Sequence, residues 1–279
     1  LTDAPYEFPS LARESFKGLP GMLADSLPDK FGNTLINAWL SARGREPGSF
    51  TPVERLCYTG TRGLGALEFR PRMNEAPRSA RRIDIETLVT LANRVLDDRI
   101  ALAGKLTGED DQQAIEDILR VGTSAGGARA KAVLSWNPET GEFRSGQAPA
   151  DLGFSHWLMK FDGVNGNQDR ELADPLGFGR IEYAYHLMAR AAGIDMEECR
   201  LHEEGGRAHF MTRRFDRTPE GDKRHMQSLG ALMHYDFNLP GAYAYEQVLN
   251  QLEGHDLHLM DVEQQVRRTF FNVLARNQD

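Results

Sequence analysis

Residues 122–141 read Gly-Thr-Ser-Ala-Gly-Gly-Ala-Arg-Ala-Lys-Ala-Val-Leu-Ser-Trp-Asn-Pro-Glu-Thr-Gly, and the change of pattern inside this stretch decides the fold class. Upstream, apolar residues recur at helical spacing: Leu88, Leu91, Val95 and Leu96 behind Asp84, then Ala114, Ile115, Ile118 and Leu119. From 129 to 136 the pattern alternates as a strand does. Asn137-Pro138-Glu139-Thr140-Gly141 supplies a turn, and 142–145 a return strand. Further strands are predicted over 155–162, 199–203 and 208–215, the last two joined at Gly205-Gly206, with a helix over 180–193 before them. From Arg224 onward the reading is helical, closing on a stripe of Val262, Val266, Phe270, Val273 and Leu274. The first 80 residues read as short helices and loops, with Thr51-Pro52-Val53-Glu54 a helix start and Gly60 its stop. Helices, a small mostly antiparallel sheet with one inserted helix, then helices make an α+β order and not alternating βαβ.

Composition narrows the function. The chain of 279 residues carries a net charge of −8, the wrong sign for a protein whose main task is gripping phosphate backbone. The basic stretch 70–82 reads as a linker; an RNA-binding arm there would want interleaved aromatic residues, and it has none. No run approaches the roughly 18 apolar residues of a membrane helix. Two cysteines, Cys57 and Cys199, make no disulfide framework, which points to a reducing, cytoplasmic setting. The histidines show no metal-ligand spacing. The chain opens on Leu1 and stops just after a strongly patterned segment, so a fragment is expected.

Three constellations could carry chemistry. In Gly126-Gly127-Ala128-Arg129-Ala130-Lys131 small residues would let backbone N–H groups approach a polyphosphate; the alternative is a flexible connector. The rival cluster Gly60-Thr61-Arg62-Gly63-Leu64-Gly65 has no lysine nearby and reads as a structural turn. Lys160 lies on an apolar strand, facing away from Trp157, Met159 and Phe161, with Glu182 near the start of the next helix. A strand lysine paired with such a glutamate is how protein kinases hold the phosphates of ATP; the alternative is an edge lysine in water. Arg213-Arg214-Phe215-Asp216-Arg217 ends a strand, either as a crossing whose backbone reads an adenine edge or as a surface charge cluster of little energetic weight.

Taken in order, these segments resemble the HipA family of serine/threonine kinase toxins from bacterial toxin–antitoxin systems. The resemblance rests on Ser124 to Lys131 as a phosphate loop, Trp157-Leu158-Met159-Lys160-Phe161 as the nucleotide strand, Ile181-Glu182-Tyr183 on the helix after it, Arg213 to Arg217 as the hinge, and Phe270-Phe271-Asn272 to Asn277-Gln278-Asp279 as the approach to the catalytic loop. It implies a two-lobed, protein-kinase-like fold, with residues 1–212 holding the amino-terminal lobe and 213–279 beginning the helical one. It implies ATP and magnesium as cofactors. Gly126, Gly127, Ala128, Arg129, Ala130 and Lys131 would cradle phosphates, Lys160 would bind them with Glu182 beside it, and Arg213, Arg214 and Phe215 would border adenine. Asp279 would be the catalytic aspartate that accepts or orients the proton of the attacking hydroxyl, and Ser124 the site of silencing autophosphorylation. The usual partner is a helix-turn-helix antitoxin that alone reaches DNA, and family substrates include an aminoacyl-tRNA synthetase or other translation components. The catalytic loop would continue beyond Asp279 with the magnesium ligands. Two other readings remain: a catalytically inactive scaffold that binds the antitoxin, and a metabolic small-molecule kinase.

Overall fold

In the computed structural model, residues 8, 10–73, 82–97, 129–147, 151–164, 176–253 and 258–277 are described. They divide into two compact units that interleave along the chain. One comprises Ser26–Ile181 with Glu198–Met226; the other takes the residues up to Asp25, then Glu182–Glu197, and those from Gln227 onward.

The first unit is built on a six-stranded sheet in the order β1-β3-β2-β4-β6-β5, comprising β1 Arg82–Ile83, β2 Lys131–Trp136, β3 Phe143–Ser145, β4 Ser155–Lys160, β5 Cys199–Glu204 and β6 Arg207–Arg213. Every pairing is antiparallel. The turns fall where the sequence puts them. Asn137 Oδ1 accepts the N–H groups of Glu139 and Thr140, and Gly141 closes the turn at φ 69°.

Among the described residues, α1 Arg13–Phe16, α2 Gly21–Ala24, α3 Lys30–Ala42 and α4 Pro52–Thr59 precede β1. Helix α5, Ile85–Asp97, follows it. Of these, α3, α4 and α5 belong to the sheet unit. At α4 the capping box forms as expected: Thr51 Oγ1 accepts from Glu54 N–H while Glu54 Oε2 accepts from Thr51 N–H. Helix α3, thirteen residues long, is longer than the first 80 residues suggested. Gly32 and Asn33 weaken its local signal, but burial of Phe31, Leu35, Ile36 and Leu40 overrides propensity. These side chains share one core with Ile85, Leu88, Val89 and Ala92 of α5 and with Ala132, Leu134, Trp157, Met159 and Met211 of the sheet. Each fully buried large side chain contributes about 1.5–3 kcal/mol. The predicted helix over 109–119 lies outside the described residues.

Helix α6, Phe178–Ala191, begins in the sheet unit and continues into the helical one. Its start is pressed against β6: a Cβ on Gly179 would lie 1.8 Å from the Ala208 carbonyl oxygen. The helical unit adds α7 Leu229–Met233, α8 Tyr245–Glu253 and α9 Leu259–Leu274. The region after Arg224 is thus less helical than expected, since an irregular aromatic segment separates α7 from α8. The sequence Pro240-Gly241 and the stacked pair Tyr235–Tyr243, 4.2 Å between ring centroids, account for the break. The stripe on α9 stays largely open, with Phe270, Val273 and Leu274 at 64, 65 and 82% exposure. No described helix is long and apolar enough to cross a membrane.

Candidate functional site

Lys160 ends β4, a central strand of the sheet, and the alternation predicted from sequence holds from Trp157 onward but not at His156, which is buried. Trp157, Met159 and Phe161 are buried, while Lys160 keeps partial exposure. Its ammonium lies 6.0 Å from the Phe210 ring of β6, its neighbour across the strand pair. The other cross-strand neighbour of Lys160 is Lys131, the first residue of β2. Two lysines directly opposite each other repel. The fold answers with Asp29, the N-cap of α3, whose Oδ1 accepts from Gly32 N–H at 2.7 Å and whose Oδ2 lies 3.1 Å from Lys131 Nζ. Both side chains of this pair are almost wholly buried. Burial pushes the Asp29 carboxyl above its ordinary range, and Lys131 and the Gly32 N–H oppose that rise. Of the two lysines, the ammonium of Lys131 is therefore committed to Asp29, and Lys160 is the one with a solvent-facing part.

The end of β4 is fixed by a buried carboxylate. Asp162 accepts from Gly177 N–H at 2.9 and 3.1 Å and from Ala208 N–H at 3.2 Å, and its own N–H donates to His209 Nδ1 at 3.0 Å. One residue thus joins the end of β4, the start of β6 and the entry to α6. His209 must be neutral to accept that bond, and burial, followed by the neighbouring His202, lowers its pKa to about 4.

The segment 213–217 contains a second buried cluster. Arg214 grips Asp216 with two hydrogen bonds of 2.8 and 2.6 Å, and Arg217 adds a third at 2.8 Å. Asp216 also accepts the Gly65 N–H at 2.7 Å. Arg217 donates to the Gly63 and Gly65 carbonyls, and Lys223 to Thr61 O at 2.8 Å. The glycine cluster 60–65 is therefore a turn held by Asp216, Arg217 and Lys223, as its sequence implied. The surface-cluster alternative is overturned: Arg214 and Asp216 are 6 and 3% exposed. Burial would raise the Asp216 pKa, but the Arg214 bonds, the Gly65 N–H and Arg217 outweigh it and the net shift is downward. The N–H of Arg213 donates to Glu198 O and that of Arg214 to His156 O, while Arg213 and Phe215 expose their side chains.

The remaining expected site residues are placed as follows. The Arg129 guanidinium lies over the Phe178 ring, 3.9 Å from its centroid, and Ala130 is buried. Glu182 is half-buried on the part of α6 that belongs to the helical unit. Ser124, Gly126, Gly127, Ala128 and Asp279 lie outside the described residues. Asp29, Asp162, His209 and Asp216 were not singled out as binding or positioning residues by the sequence.

Comparison with known proteins decides the lineage. The model of the HipA-like C-terminal domain matches residues 123–279, and that of the HipA N-terminal domain matches residues 1–70. The chain belongs to the HipA family. A solved structure of HipA from Shewanella oneidensis MR-1, in complex with HipB and its operator DNA, superposes with a TM-score of 0.54 at 16% identity. The match covers 93% of this chain and 57% of that one, so the chain spans little more than half the length of the HipA it resembles. No curated protein matches the chain. The HipA frame confirms the α+β, kinase-like fold with its antiparallel sheet.

Proposed function

We propose that this HipA-family chain forms the nucleotide-binding part of an ATP- and magnesium-dependent serine/threonine kinase. In this reading it acts as the toxin of a toxin–antitoxin pair and is silenced by phosphorylation of Ser124. The observation that carries the reading is Lys160: a partly exposed cation on an otherwise apolar central strand, across from the lysine that ends the glycine-rich stretch. Such a cation suits the α- and β-phosphates of ATP. Asp29 neutralises Lys131, which makes two facing lysines tolerable at this strand end. ATP, when bound, supplies the transferable phosphoryl group. Among the described residues no three His, Cys, Asp or Glu side chains cluster to hold a metal, so magnesium enters on the resemblance alone. The neighbouring HipA structure contains HipB and operator DNA, which supports an antitoxin partner of that kind for this chain.

Lys160→Ala tests the assignment. Loss of one charge-assisted contact should weaken ATP binding by about 2–3 kcal/mol, roughly 30–150-fold, with cooperative unfolding retained. Unchanged ATP affinity in the folded variant would sink the role given to Lys160.

A further inference from the structure

The start of α3 carries a charged side chain where a neutral one would serve the helix equally well. Asp29 caps α3 by accepting the Gly32 N–H, a role that Asn or Ser fills with similar strength. A carboxylate is costlier than an amide at a buried position, and the Asp29 side chain is 2% exposed. The cap therefore does not account for the charge. Lys131 does, with its Nζ 3.1 Å from Asp29 Oδ2 and its own side chain 3% exposed. The carboxylate is held from its own side of the pair. Asn33 Nδ2 donates to Pro28 O at 2.7 Å, and Arg55 of α4 donates to Asn33 Oδ1 and to Asn37 Oδ1, each at 2.8 Å. The chain on both sides of Asp29 is thus tied to α4. The pair also joins the two matched domains, for Asp29 lies in the HipA N-terminal domain and Lys131 in the HipA-like C-terminal domain. Both residues belong to the sheet unit.

Stability alone does not explain such a pair, since a buried ion pair is often no better than apolar residues of the same volume. Its place in the sheet does. Lys131 is the direct cross-strand partner of Lys160. Without Asp29, the two facing cations would disfavour each other's charged form. Without Lys131, a buried carboxylate would stand at this strand end with no counter-charge and oppose an anion there. We infer that Asp29 is a positioning residue for the phosphate end of the sheet: it binds Lys131 into a neutral pair that sustains the charge of Lys160, and Lys131 itself does not touch the phosphates. The inference rests on the nucleotide reading of Lys160 above, and it takes Lys131 out of the phosphate cradle that the family resemblance implied. The N-terminal domain thereby contributes to the nucleotide site a residue that acts through another.

The test uses the full-length protein with Asp29→Asn, Lys131→Met and the double variant, and reads the ATP dissociation constant by calorimetry and the urea midpoint of unfolding. Asn keeps the helix cap and removes only the charge, while Met keeps most of the lysine's length. Lys131→Met should weaken ATP binding about 10-fold or more, through the unbalanced carboxylate. Adding Asp29→Asn should bring the affinity back to within about 3-fold of wild type, although both charges are now gone. A lysine that ligates phosphate directly would leave the double variant as weak as Lys131→Met, and that result, or unchanged affinity in Lys131→Met, would overturn the inference. Unfolding reports on the pair itself. Each single variant should unfold at lower urea than the double variant, because each strands one buried charge. Additive losses would overturn the pair whatever the ATP affinity. Should Lys131→Met fail to fold, the double variant decides by the same limit: affinity within about 3-fold of wild type supports the inference and weaker binding overturns it. A wild type that binds no ATP would overturn the nucleotide reading of Lys160, and the role of the pair with it, even where unfolding shows the two residues coupled.

Discussion

His209 shows how much one buried residue can govern. It is 1% exposed, stacks against His202, meets Phe161 edge-on and accepts the Asp162 N–H through Nδ1. Its folded pKa of about 4 lies below the unfolded value of about 6.5. Between those values the unfolded chain binds more protons, so the neutral histidine favours the fold above pH 6.5 and this contribution is lost as pH falls toward 4. The loss is of order 3 kcal/mol. His156, also lowered to about 4 by burial and then by Arg214 and Arg217, adds a second contribution of the same sign. In His209→Asn the side-chain oxygen can take over from Nδ1 without titrating. Urea unfolding between pH 4 and 7 should then show a shallower loss of stability in the variant. An identical slope would mean that His209 titrates normally.

At the scale of elements, the segment 213–217 and the glycine turn stand or fall together. Asp216 is the only carboxylate gripping Arg214 and Arg217 among the described contacts, and it also holds the Gly65 N–H. Removing one partner of a buried ion cluster costs about 3–5 kcal/mol, because the remaining charges stay buried. Asp216→Ala should lose stability of that size by denaturant unfolding, whereas Glu68→Ala, which removes the half-exposed partner of Lys223, should lose well under 1 kcal/mol. Comparable small losses in both would show that the cluster opens to water. The contrast also marks what a single sequence conveys. The Thr51–Glu54 box, the turn at 137–141 and the burial alternation of 157–161 depend on neighbours in the chain, and all were legible. The Asp216–Gly65 bond spans 151 residues, and the Asp29–Lys131 pair is likewise non-local. Neither leaves a periodic or spacing signal. A lysine on an apolar strand stands out by itself, so the place of Lys160 on β4 was legible; the Asp29 partner of Lys131 was not.

At the scale of the whole molecule, charge and lineage make a joint prediction. A chain of net charge −8 should give no shift of operator DNA at physiological salt when added alone. A DNA-binding antitoxin should bring it into a ternary complex; a shift by the chain alone would contradict indirect recruitment. The central claim, however, is catalytic. The most direct measurement incubates the full-length protein with magnesium and ATP labelled on the γ-phosphate, beside Lys160→Ala and Ser124→Ala, and maps the phosphate by mass spectrometry. The account predicts one phosphate on Ser124 in the wild type and none in either variant. A wild type that stays unlabelled and transfers nothing to a lysate, or a Lys160→Ala variant labelled as fully as the wild type, would contradict it.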